Sequence, residues 1–384
     1  MSFPLGLCVG ALLVGVYVWV IGPEPKQETA LARRSWWWAA AAVLGCAALL
    51  SVFPIQSDDL FIHLAVGRRF FATGRFPDPD PFLFSLTNYH RDWRDVWGSH
   101  LLAFLSYQLV GFSGLILLKS AVVVAGAMAP LWLARRVGTR AAIVPALLLL
   151  ALWTGSSRFV ERASIFSDVL GCWVLAILCA ETRRPTRWVW LLPGIVLVWA
   201  NLHPGVVLGL AFIGAATLAN PREWRRWTLV FGASLVASCL HPQGPRMLWW
   251  TVRSILGDNL AAFKGEIMEF LPISDAALRS TNMVQLFIIL SGAVGTLLLL
   301  DLRRRRRRSI FGLLCFAGVV FLGVSGLRFM TTASLAMAVL VAHAAPSLQG
   351  KARRRWPAAI LVAAGALLVA GKLALWGYSP LGWY

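Results

Sequence analysis

Charge is what this chain has least of. Only 14% of its 384 residues are Asp, Glu, Lys or Arg, against about 25% in a soluble globular domain, and 58% are hydrophobic. A water-soluble globular fold is excluded on those figures. Acid is scarcer still, 17 Asp and Glu against 36 Lys and Arg. Cysteine is confined to Cys8, Cys46, Cys172, Cys179, Cys239 and Cys315, all inside apolar runs, with no CxxC and no pair in a polar loop. Neither a disulfide framework nor a zinc knuckle fits that placement, and the thiols read as small core residues. The alternating segments of about ten residues that mark a membrane β-barrel are missing. So are an internal repeat, low complexity beyond the Arg303 to Arg308 run, and a basic leader ahead of residues 4–22 that a cleavable signal peptide would carry.

What is present is apolar sequence in runs of about 17–25 residues, each long enough to cross a hydrocarbon core of about 30 Å. The runs fall at residues 4–22, 36–55, 113–134, 140–155, 163–181, 187–201, 204–219, 226–241, 282–301, 309–326, 328–346 and 357–376. The fold class expected is all-α, a single polytopic transmembrane bundle of about twelve spans. The net charge of +19 does not mark a nucleic-acid binder, because the basic residues sit in short clusters between apolar runs. Arg33/Arg34, Arg135/Arg136, Arg183/Arg184, Arg225/Arg226 and Arg303 to Arg308 follow that rule. This is the positive-inside pattern, and the partner it implies is membrane lipid. Several clusters run into tryptophan, as in RRSWWW and REWRRW, and Trp favours the headgroup layer.

With those clusters inside, the remaining joints lie outside, and they hold the unusual polar residues. The longest, residues 56–112, has Asp58, Asp59, Asp78, Asp80, Asp92 and Asp95 with His63, His90 and His100. Its end, 98–112, is placed as an interfacial or re-entrant helix, since a crossing there would invert the Arg135/Arg136 cluster. The shorter joints carry Arg158, Glu161 and Arg162, then Asn201 and His203, then Arg328; a second outer loop over 242–281 carries Glu266 and Glu269. Ionisable groups beside a bilayer are costly and mark function, and polar groups gathered at one end suit a membrane-surface site. A transporter places them nearer the midplane.

Individual residues keep two readings. Ser57-Asp58-Asp59 opens an amphipathic helix, where one acid caps the first turn and Asp59 shares a face with His63 four residues on. That pair is either an acid–base couple or a set of metal ligands. Asp80, in the turn-rich GRFPDPDPFLFS, either holds its loop or lines a site. Trp93 and Trp97 either stack on a sugar face or belong to the interface belt. Arg158 and Arg162 either fork onto a phosphate or pair locally with Glu161, and Arg328 has the same choice of phosphate or snorkelling. His203 is either a satisfied turn residue or part of the site. The GxSG at Gly111-Phe112-Ser113-Gly114, with His343 as a distant imidazole, matches a serine-protease motif too short to carry weight.

The first loop goes beyond generic patterning. An acidic pair after an early span leads into Asp59, His63, Leu64 and Gly67 in an Asp-x-x-x-His-Leu-x-x-Gly helix. A Gly74–Pro77 turn, Asp80-Pro81 with Ser85, and Trp93/Trp97 follow. Together with WANLHPGVVLG (199–209), HPQG (241–244) and MEFLP (268–272), this resembles bacterial polytopic proteins similar to the GT-C superfamily of glycosyltransferases, the protein mannosyltransferase and aminoarabinose transferase relatives. The resemblance implies transfer of a sugar from a polyprenyl-phosphate donor to a glycan, lipid or protein acceptor on the extracytoplasmic face of the bacterial inner membrane. It implies Asp59 or Asp58 as base or metal ligand, with His63 supporting, and leaves a divalent cation (Mg or Mn) open as cofactor. Arg158, Arg162 and Arg328 would take the phosphate, and Asp80, Trp93, Trp97, His203 and Glu269 would line the substrate site. The rival expectation is a non-enzymatic flippase for the same lipid-linked glycan.

Overall fold

The computed structural model describes residues 30–82, 90–139, 143–256, 268–275, 278, 281–305 and 309–348. The expected spans at 4–22 and 357–376, and the residues Ser85 and Glu266, lie outside the described residues. Among the described residues there are thirteen α-helices and no strand. They run α1 Ala30–Ser51, α2 Asp59–Thr73, α3 Trp97–Val110, α4 Phe112–Arg136, α5 Ile143–Gly155, α6 Ser164–Glu181 and α7 Leu192–Leu202. Then come α8 Val206–Ala219, α9 Trp224–Cys239, α10 Pro245–Leu256, α11 Asn282–Arg305, α12 Ser309–Ser325 and α13 Met330–Ala344.

Four segments are long and apolar enough to cross a membrane: Phe112–Arg136, Ser164–Glu181, Asn282–Arg304 and Leu327–Ala344. Five shorter apolar segments accompany them, Trp36–Ser51, Ile143–Arg158, Trp188–Leu202, Val206–Ala219 and Ile310–Ser325. A chain built this way is a multi-pass membrane protein. Each expected span within the described residues coincides with a helix, because an apolar run in lipid must satisfy its own backbone and helix does so within the segment. The hub is α13, buried along its length and rich in alanine, which lets α5, α6, α11 and α12 approach it closely.

The two ends of the bundle differ in chemistry. At one, the Arg135 guanidinium lies 5.0 Å from the Trp37 ring and that of Arg136 5.8 Å from Trp188. Arg226 bridges Glu181 at 2.5 Å and Glu223 at 3.0 Å. At the other, α2 and α3 lie across the helix ends. Gly67 makes their approach possible: a side chain there would meet Phe104 Cβ at 2.6 Å and the His100 carbonyl at 2.7 Å. Gly98 does the same for the start of α3, where a Cβ would meet the Asn201 carbonyl near the end of α7 at 2.6 Å. At 14 residues, α3 is as long as α8.

Candidate functional site

Arg162 is the hub of this second end. Its Nε lies 3.0 Å from Asp59 Oδ2 and 3.4 Å from Ser57 Oγ, and its Nη1 lies 2.7 Å from Glu269 Oε2. Arg158 Nη2 reaches the same Glu269 oxygen at 3.0 Å. The start of α2, the joint after α5 and the Glu269 segment thus meet through one guanidinium. Burial raises the Glu269 carboxyl, but the charges and hydrogen bonds of Arg158 and Arg162 outweigh it and leave the carboxyl below its ordinary range.

Arg328 joins from the turn before α13. The Leu327 N–H donates to the Leu271 carbonyl (3.1 Å) and the Ile273 N–H to the Val324 carbonyl (3.2 Å), which ties the Glu269 segment to the Arg328 turn. The guanidinium stacks on Phe270 at 4.6 Å and Phe329 at 5.2 Å. Three arginines therefore gather around the carboxylates Asp59 and Glu269.

His203 enters from the α7–α8 joint with its tautomer decided by its partners. Trp199 Nε1–H donates to Ser167 Oγ (2.8 Å), so that hydroxyl turns its own proton to His203 Nδ1 at 2.7 Å. The Gly205 N–H also donates to Nδ1, at 3.0 Å. An Nδ1 that accepts twice leaves the ring proton on Nε2. Burial, helped by the charge of Arg328, pushes this imidazole down to about 3.

The other expected residues sort themselves by contact. Asp58 occupies the N-cap position of α2 but makes no side-chain cap bond and is exposed. Capping does not account for the acidic pair, since Asp59 is drawn to Arg162 instead. The local Arg–Glu pair does not form either: Glu161 turns inward to Lys119, 2.6 Å away, with side chains only 3% and 1% exposed. Asp80 is buried and accepts the Phe82 N–H at 2.8 Å, which makes it a turn residue. Trp93, 2% exposed, lies between Phe82, Arg91 and His100, so its faces are not open to a sugar. Trp97 Nε1–H donates to Asn201 Oδ1 at 2.7 Å, fastening α3 to α7. Ser113 is exposed at the start of α4. His343 is buried at the far end, where its carbonyl accepts from Arg183, so no protease pair forms.

The loop ahead of α3 meets the turn after α9 through Asp92 and Gln243. Arg94 forks onto Asp92 at 2.6 and 2.8 Å. That hydrogen bonding, helped by Gln243 from the HPQG turn, lowers the Asp92 carboxyl to about 2. Among the described residues no three His, Cys, Asp or Glu side chains converge to hold a metal ion.

Two residues to which sequence reasoning gave no role, Lys119 and His100, now stand out. Lys119 is the one charged residue in the apolar run of α4 up to Arg135, a signal legible in advance. Its Nζ contacts Glu161, lies 3.4 Å from the Phe53 carbonyl, and sits over the Phe53 ring. It thereby clamps the chain leading into Asp59 to the chain leading into Arg162. His100, buried on α3, sets its Nδ1 2.7 Å from His63 Nδ1, a contact 37 residues apart in sequence that no local pattern reveals.

Beside the polar cluster, α2, α3, α4 and the start of α6 line a small, half-open cleft. Leu60, Leu115, Leu118, Val122, Ile165 and Phe166 make it apolar, and His63, Lys119, Glu161 and Arg162 also line it. Compared with known proteins, the chain matches no family model and no curated protein.

Proposed function

We propose that this protein is a GT-C-like membrane glycosyltransferase of about twelve spans, taking a sugar from a polyprenyl-phosphate donor on the extracytoplasmic face of a bacterial inner membrane. The observation that carries this reading is an arginine cluster set against an apolar cleft. Arg158 and Arg162 pair with Asp59 and Glu269, Arg328 lies within the same charge group, and Arg162 also lines the cleft. An amphiphile with an anionic head and an apolar chain fits both halves at once, the guanidinium forks taking phosphate oxygens. Arriving phosphate competes for Arg162 and releases Asp59, so the carboxylate is freed to draw the acceptor's proton when the donor is in place. The arginines then stabilise charge developing on the departing phosphate. Asp58 stands beside Asp59, His63 supports it, and His203 and Glu269 complete the wall.

The test is release of polyprenyl phosphate from a radiolabelled polyprenyl-phosphate sugar by the purified chain in lipid. Wild-type protein is expected to release it and to label an acceptor, and Asp59→Asn at normal expression to lose most of that rate. Full transfer by Asp59→Asn and Asp58→Asn would overturn the assignment. Movement of intact donor between leaflets without release would favour the flippase.

A further inference from the structure

The proton of His203 is fixed by contacts whose direction is set by their own chemistry, because a backbone N–H and an indole N–H can only donate. The Gly205 N–H reaches His203 Nδ1 at 3.0 Å, and Trp199 Nε1–H reaches Ser167 Oγ at 2.8 Å. Nδ1 is therefore an acceptor, the Ser167 hydroxyl donates to it at 2.7 Å, and the ring proton stays on Nε2. Gly205 keeps the cradle tight, since a side chain there would meet His203 Nδ1 at 2.8 Å and clash with Ser167 Oγ. Residues of α6, α7 and the α7–α8 joint thus serve one outcome, an imidazole that presents Nε2–H. Among the described residues that N–H has no acceptor.

Arg328 shares this end of the bundle. Thr332, one turn on from it, donates its hydroxyl to Asp168 Oδ1, the neighbour of Ser167, and so seats the Arg328 turn against the same end of α6. The guanidinium stacks on Phe270 and Phe329, and among the described residues its N–H groups donate to no carboxylate or carbonyl. Arg158 and Arg162, by contrast, are engaged by Glu269 and Asp59. A charged donor and a neutral one, brought to one place without a protein acceptor, call for an anionic oxygen from outside the chain. Resting on the glycosyltransferase reading above, we propose that His203 donates its Nε2–H to a phosphate oxygen of the lipid-borne donor beside Arg328, and that Ser167 is a positioning residue for that contact. The bond strengthens as the departing phosphate gains charge, and it leaves Asp59 as the group that draws the acceptor's proton.

The experiment uses the full chain in a phosphate-free maltoside detergent with ¹⁵N-ring-labelled histidine, the His203 signals assigned by their loss in His203→Gln. Wild-type protein without ligand is expected to carry the His203 proton on Nε2. Farnesyl phosphate, an isoprenyl monophosphate with no sugar to transfer, should shift that nitrogen and bring its phosphorus within dipolar contact of it. His203→Phe should weaken binding of this probe roughly tenfold, the loss of one hydrogen bond to a charged group, and His203→Gln, which keeps a neutral N–H, should recover much of it. Ser167→Ala should weaken binding less than His203→Phe does, and not at all in the His203→Phe background, because it acts through the ring. A proton on Nδ1, no phosphorus contact at saturating probe, or His203→Phe binding as tightly as wild type would overturn the proposal. A further loss from Ser167→Ala on top of His203→Phe would overturn the positioning role, and an equal response to inorganic phosphate the lipid-borne source. Phosphorus contact at His203 without sugar transfer by wild-type protein would count against the enzyme reading alone; transfer undiminished in His203→Phe would count against this contact alone.

Discussion

Replacing Lys119 by Met is the sharpest test of how the site is held. Lys119 and Glu161 are 2.6 Å apart with side chains 1% and 3% exposed. At an effective dielectric of about 20 that separation is worth about 6 kcal/mol of attraction, offset by several kcal/mol of lost hydration for each ion. Removing one partner strands the other, and the expected cost is about 3–5 kcal/mol. With unfolding entropy near 2 cal/mol/K per residue, this 384-residue chain should lose roughly 4–6 °C in its unfolding midpoint. Cys172, Cys179 and Cys315 are buried, so a thiol-reactive dye in detergent reports the transition directly. The double variant Lys119→Met/Glu161→Leu should recover most of the loss, since replacing both ions by apolar groups is often neutral. A single variant as stable as wild type, or a double variant no better than the single, would refute the buried-pair argument.

Two further outcomes follow from the geometry. His63, His100 and His203 lie near 4, 3 and 3 in the fold, against about 6.5 in an unfolded chain. The unfolded chain then binds up to three more protons over that window, so stability is full above about pH 6.5 and is lost as pH falls towards those depressed values. A midpoint that stays flat between pH 7 and pH 5 would contradict it. Trp97→Phe removes the 2.7 Å bond to Asn201 Oδ1 and should cost about 1 kcal/mol, read in the same assay. No change would mean that α3 is fastened elsewhere.

The sequence by itself determined the class of this protein, because each apolar run must close its backbone hydrogen bonds within itself in lipid and needs no distant partner to do so. It also determined that the polar joints share an end, since basic clusters and their neighbouring tryptophans orient each span independently. Only the tertiary structure decided who meets whom. Asp58 and Asp59 are equivalent as a string, yet Asp59, together with Ser57, reaches Arg162 while Asp58 faces outward. Glu161 looked like a partner for Arg158 three residues before it and instead took Lys119, 42 positions upstream, because an ion buried among helices pairs with whatever opposite charge the packing brings within reach. Trp93 and Asp80 read as ligand-facing and are enclosed, and His63 found its partner across 37 residues through the close approach that Gly67 allows. Pairings of that kind depend on how helix ends and loops are laid over one another, which local periodicity does not encode.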